Sequence, residues 1–237
     1  MAIAFVNSDR GENYGGGEDT FVSSSGFANT AGNAIVVGIR FQDNDTTKSV
    51  TGVTDTAGNT YARLGSAFRA ASSEELDIWM ALNIASHANN VVTATFSNGV
   101  AYRTVLPHQF SGFATTGTLY DTRITVEGTS GTLTTAAGLS TADNNELIFA
   151  IFTIAASGVT WTAGSVGGNA FTKRQEDSFT VAGCQTYVTS SALSSATASI
   201  QCSDGSTAKC MLVVAIKESA GGGGGGTPNP WNYYANQ

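Results

Sequence analysis

Apolar positions in this chain follow two patterns, and both belong to strands. Val91-Val-Thr-Ala-Thr-Phe96 alternates apolar with polar residues, the period-two signature of a strand with one buried and one wet face. Shorter uninterrupted runs, Asn33-Ala-Ile-Val-Val-Gly-Ile-Arg-Phe41 and Asn145-Glu-Leu-Ile-Phe-Ala-Ile-Phe-Thr153, predict buried strands. The best helical pattern lies over residues 70–83 and opens on a plausible cap. Its counterpart, Thr180-Val-Ala-Gly-Cys-Gln-Thr-Tyr-Val-Thr189, reads as strand, so both segments are assigned as strands.

That counterpart is one piece of a repeat. The runs at 33–41 and 145–153 correspond, and so do Gly58-Asn-Thr-Tyr-Ala62 and Gly168-Asn-Ala-Phe-Thr172. Further on, Phe96-Ser-Asn-Gly99 matches Cys202-Ser-Asp-Gly205, and each is expected to make a tight positive-φ turn into the next strand. Even the openings agree, Ile3 to Val6 with Ile124 to Val126 and Phe21-Val22 with Leu133-Thr134. Residues 1–119 and 120–218 therefore read as one unit written twice. The crossover Ala114-Thr-Thr-Gly-Thr-Leu-Tyr-Asp121 has no proline and no charge before Asp121, unlike an interdomain linker. The expected fold is a single all-β domain, a jelly-roll-like antiparallel β-sandwich with an internal duplication.

Composition narrows the function. Charged residues make up only 12% of 237 and the formal net charge is -7, without a basic cluster to neutralise phosphates, which argues against nucleic-acid binding. The longest apolar stretches, Leu147 to Ile151 and Met211 to Ile216, fall far short of the roughly 20 residues of a membrane-spanning helix. Met1-Ala-Ile-Ala-Phe-Val6 lacks the basic start of a signal peptide and reads as a first strand. An extracellular type of composition without an export signal suits a protein assembled in a host cytoplasm and released on a virus particle. Cys184, Cys202 and Cys210 cannot all pair with one another, and buried free thiols are expected.

The segments Val53-Thr-Asp-Thr-Ala-Gly-Asn-Thr-Tyr61, Ile78-Trp-Met-Ala-Leu-Asn83, Val91-Val-Thr-Ala-Thr-Phe96, Tyr102-Arg-Thr and Phe110-Ser-Gly112 resemble the poorly characterised two-halved β-sandwich modules of bacterial extracellular proteins and phage particles. The resemblance covers about residues 20–218. It implies one domain carrying both halves and a displayed location, and it brings no catalytic residue with it.

The carboxylates are the strongest candidates for catalytic chemistry. Glu75 and Asp77 occupy alternate positions of one strand, as the paired acids of jelly-roll glycoside hydrolases do, but the further acid needed near Trp79 or Met80 is missing. The repeat sets Cys184 against Asp77, again without an acid, so the segment reads as a solvated acidic edge and the chain as non-enzymatic. His87 and His108 are isolated and form no zinc spacing. Asp43 and Asp45 offer oxygen ligands of the kind calcium takes, although a plain turn explains them as well; no cofactor is expected. Gly11-Glu-Asn-Tyr-Gly-Gly-Gly-Glu-Asp19 lacks the lysine of a phosphate loop and reads as a mobile surface loop. Trp79, Tyr102 and Trp161 are candidate glycan-stacking residues.

After Glu218 the composition breaks. Ser219-Ala220 and six glycines, Gly221 to Gly226, form a linker over 219–226, and residues 227–237 follow with Pro228, Pro230, Trp231, Tyr233 and Tyr234. Aromatics held between prolines suit a docking peptide. The expectation is a phage structural protein on the virion surface, as capsid decoration or part of a fibre, spike or appendage. Its partners would be copies of itself or other virion proteins, gripped through the tail. The alternative is a carbohydrate-binding or adhesin module of an extracellular bacterial protein.

Overall fold

The computed structural model describes residues 2–15, 17–44, 47–117 and 119–218. Asp45 and the candidate docking residues Pro228, Pro230, Trp231, Tyr233 and Tyr234 lie outside the described residues. The first half contributes β1 (Ala4–Ser8), β2 (Gly11–Asn13), β3 (Asp19–Ser23), β4 (Phe27–Asn29), β5 (Ala34–Gln42), β6 (Val50–Asp55), β7 (Tyr61–Arg63), β8 (Phe68–Arg69), β9 (Glu74–Ala81), β10 (His87–Asn90), β11 (Val92–Val100) and β12 (Arg103–Ser111). The second contributes β13 (Tyr120–Gly128), β14 (Thr132–Thr134), β15 (Leu147–Ile154), β16 (Trp161–Val166), β17 (Asn169–Ala170), β18 (Thr172–Glu176), β19 (Ala182–Val188), β20 (Ala198–Cys202) and β21 (Lys209–Ile216).

The described chain is an all-β, antiparallel sandwich fold with an internal duplication. In the first half the order β1-β12-β5-β9-β7 makes one sheet, widened by β2 and β8, and β3-β11-β6 makes the sheet facing it. In the second, β13-β21-β15-β19-β18 faces β14-β20-β16-β17. The long strands switch between facing sheets in the interleaved order of a jelly roll, and the same order occurs twice. Each half closes its own pair of larger sheets, and the first also carries a separate two-stranded sheet, β10-β4.

The two pairs then stack through their larger sheets into four layers. One apolar core fills each outer gap, and a third, with Val36, Ile78 and Leu106 from the first half and Phe149, Ile151 and Leu212 from the second, fills the middle. This layering explains the two hydrophobic patterns. Along β5, Ile35, Val37, Ile39 and Phe41 enter the first half's own core while Ala34 and Val36 enter the shared one. A strand buried on both faces reads as a continuous apolar run. The outer strand β11 keeps one face in water and therefore alternates. Gly38 lets the inner sheets approach, because a Cβ there would lie 2.9 Å from Cys184 Sγ and 3.0 Å from Ile151 Cδ1.

Two details of the repeat are corrected by the structure. Asn98-Gly99 lies inside β11, and neither Gly99 nor Gly205 has positive φ. The connections they precede are arches from one sheet to the other, β11 to β12 and β20 to β21, and an arch does not need the tight hairpin turn. By contrast Gly58 and Gly168 do match, at φ 74° and 84°. The second correction concerns facing: Cys184 points into the shared core as Leu76 does, not as Asp77 does, since a one-residue slip reverses every side chain of a strand.

Polar contacts lace the halves along two edges. On one, Ser8 Oγ donates to Gln175 Oε1 at 3.1 Å, Arg10 Nη1 to the Glu176 carbonyl at 3.1 Å and the Ser178 amide to Glu12 at 2.9 Å. On the other, Arg123 Nη1 donates to the Ser66 carbonyl at 2.6 Å and the Ala71 amide to Glu127 at 2.7 Å. The crossover between halves is packed down by Phe113 and Leu119 in the shared core. All three cysteines are free, with Cys184 and Cys210 buried there. The last strand, β21, lies inside its sheet between β13 and β15.

Candidate functional site

A cleft of about 370 Å³ opens on the seam between the halves. Its floor is built around a charge in the middle of an apolar strand. Arg40 interrupts the run of β5 and is 3% exposed. Its Nε and Nη2 donate to Glu74 Oε2 and Oε1 of β9 at 2.5 and 2.6 Å, a bidentate pair of the strongest class. Thr153 Oγ1 of the second half also donates to Glu74, at 3.4 Å. Burial disfavours the guanidinium charge, but Glu74 foremost, with Tyr14 and Asp177, outweighs this, so the Arg40 pKa rises. The third nitrogen, Nη1, has no hydrogen-bond partner.

Tyr14 forms one wall. Its hydroxyl donates to Asp177 Oδ2 at 2.6 Å and lies 2.8 Å from Thr104 Oγ1, and the Arg40 guanidinium sits 5.6 Å from its ring centroid. Burial is the main reason its ionisation is pushed far above the ordinary value, with Asp177 adding to the shift. Asp177 in turn fixes the adjoining loop, because its carboxylate accepts the amides of Phe179, Val181 and Ala182 at 3.1, 2.9 and 2.8 Å. Thr180 in that loop has φ 57°, a conformation costly for a β-branched residue. The Trp161 indole holds the Thr180 carbonyl at 2.7 Å. Phe179 is thereby presented at the rim, 46% exposed and 4.7 Å from the Tyr14 ring, with Tyr102 opposite, 40% exposed and 6.1 Å from it.

Of the three aromatics nominated for glycan stacking, only Tyr102 lines this cleft. Trp161 is 2% exposed and packs on Phe152 at 4.2 Å, so it has no face to offer a ligand. Trp79 is half-buried, bonded through its indole to Asp77 and covered by Arg63 at 5.1 Å. The glycine-rich segment 11–19 is also more structured than expected. Gly11–Asn13 pairs with β12 and Tyr14 enters the cleft.

No family model, curated protein or solved structure matches this chain.

The acidic strand is not the solvated edge expected of it. Glu75 and Asp77 share a face, but both are buried. Arg69 pairs with Glu75 and with Asp43 (2.6 Å), and Arg63 pairs with Asp77 at 2.9 Å. Neither acid lines the cleft. Asp43 is likewise engaged, accepting from Arg69 and from the Lys48 amide at 2.8 Å, an arrangement that competes with the proposed calcium. Asp45 lies outside the described residues, among which no cluster of three metal-ligating side chains occurs. His87 stands in β10, and His108 is buried against Phe149 at 5.2 Å.

These groups fix a pH dependence. Burial, helped by Asp77 and Asp43 and opposed by Arg69, pushes Glu75 up from 4.5 to about 7, and burial raises Asp77 from 3.8 to about 6. A raised carboxyl binds its proton more tightly when folded, so these two contribute stability as pH falls from about 7 towards 4. His108, pushed down from 6.5 to about 3 by burial, acts oppositely, costing stability as pH falls through that range. In urea unfolding at pH 7.5 and pH 5, Glu75→Gln should lose ground to the wild type on acidification, and His108→Phe should gain it.

Proposed function

We propose that this chain is a non-enzymatic structural protein displayed on a phage particle, with the four-layer body as the displayed part and the C-terminal segment as its attachment. The observation that carries this reading is where the body is completed. Every described strand lies within residues 4–216, and the last of them is an interior strand of its sheet. The chain then changes composition abruptly, to six glycines and a peptide with three aromatics.

The body itself supports display rather than turnover. Its paired acids are committed to arginines, its titratable floor is a closed Arg40–Glu74 pair, and its halves share one core. Decoration of a capsid and incorporation into a fibre, spike or appendage both fit, with neighbouring copies or other virion proteins as partners. An adhesin or carbohydrate-binding module of an extracellular protein is the competing reading. Mass spectrometry of particles purified from the source of the sequence tests the first: a fixed number of copies per particle is expected, and absence from the particles overturns it.

A further inference from the structure

We infer that the seam cleft is a binding site for a neutral pyranose unit of an oligosaccharide. This goes beyond the particle reading and does not depend on it. A buried donor without a partner is costly, and Arg40 Nη1 is such a donor on a side chain that lines the cleft. The atom itself is covered, so an acceptor arriving in the cleft would satisfy it once the side chains over it give way.

The surroundings select the acceptor. An apolar ligand would leave Nη1 unpaired. An anion would find the guanidinium already neutralised by Glu74, with Asp177 behind Tyr14 and a chain carrying net charge -7, so it gains little from its charge. A neutral hydroxyl meets neither objection. Around this floor stand Tyr14, Tyr102 and Phe179, two of them exposed at the rim. Aromatic faces carry partial negative charge and suit the C–H faces of a sugar ring, whereas Gln42 and Ser157, which also line the cleft, suit its hydroxyls. At about 370 Å³ the cleft falls at the small end of the roughly 300–1,000 Å³ range of ligand sites, enough for a short saccharide.

The site also draws on both halves. Arg40, Tyr14 and Tyr102 come from the first, Ser157 and Phe179 from the second, and the repeat does not reproduce it. On the matching face of the second half, Thr153 pairs with Ala182 across β15 and β19 as Arg40 pairs with Leu76 across β5 and β9, so an uncharged threonine stands where the first half has its arginine. One such cleft among the described residues follows from this asymmetry.

The test is titration of the full chain with neutral tri- to hexasaccharides of β-1,4-glucan, xylan, chitin, α-1,4-glucan and galactan, with oligogalacturonate as the acidic comparison, followed by calorimetry and amide chemical shifts. At least one neutral series is expected to bind, with shifts centred on residues 153–157 and 177–182. Tyr102→Ala and Phe179→Ala should each weaken it by about tenfold without altering the melting temperature, because both rings are exposed. No binding at about 10 mM saccharide, binding by the acidic oligomer alone, or binding indifferent to both substitutions would each overturn the assignment. A sugar-binding body absent from particles would remove the virion reading and leave this one standing.

Discussion

Glu74→Ala is expected to destabilise the protein by about 3–5 kcal/mol, the usual consequence of removing one partner of a buried ion pair. Glu74 and Arg40 are 0% and 3% exposed, and two of the three guanidinium nitrogens have Glu74 as their partner. Truncation leaves a cation between two sheets with Nη1 already unpaired. Water entering from the cleft would recover part of this cost. The double variant Arg40→Met/Glu74→Leu should regain most of the loss, since replacing both charges with apolar groups of similar volume is often neutral or better. Urea unfolding followed by circular dichroism and by tryptophan fluorescence measures both variants. The two probes should report one transition, because the halves share a core. A Glu74→Ala loss below about 0.5 kcal/mol, the level of an exposed pair, would mean that the pair is solvated and not a buried floor of the cleft.

Much of the fold was legible because burial on one face and burial on two leave different patterns. The runs of β5 and β15 and the alternation of β11 each predicted a strand, and the ordered recurrence of segments revealed the repeat. The depth of the stack was not legible. A continuous apolar run says that both faces are covered, but not that the cover on one side is the other half of the chain. Turn chemistry misled at Asn98-Gly99, where composition suited a hairpin and the topology required an arch.

The site was harder to read. Arg40 was visible as a charge inside an apolar run, which is a usable signal, since an arginine there must find a partner. The partner, Glu74, lies 34 residues away, and only the pairing of β5 with β9 brings them together. The same is true of Arg63 and Arg69, whose neutralisation of Asp77 and Glu75 depends on the short strands β7 and β8. Tyr14 was hidden among glycines that suggested a loop, and Phe179 is placed by a carboxylate, Asp177, reached only through the local turn. Trp161 shows the converse. An aromatic residue carries no mark of whether its ring faces a ligand or, as here, a core and a loop carbonyl.

Removal of residues 219–237 is the other change with a large expected effect, and on the proposed reading it should fall on attachment alone. The described strands end at Ile216, and the two backbone bonds that close the body there, Lys217 N to the Leu119 carbonyl and Ala114 N to the Glu218 carbonyl, each 2.8 Å, lie before the deletion. None of the described residues of the three cores is lost. The truncated body should therefore melt within about 2 °C of the full chain, a shift that corresponds to less than about 1 kcal/mol for a protein of this size.

The decisive measurement is co-sedimentation of the truncated body, and of residues 219–237 fused to an unrelated carrier, with particles stripped of this protein. The fused peptide should sediment with the particles and the truncated body should remain in solution. A truncated body that still binds, or a peptide that confers nothing, would contradict the division of this chain into a displayed fold and a separate means of attachment.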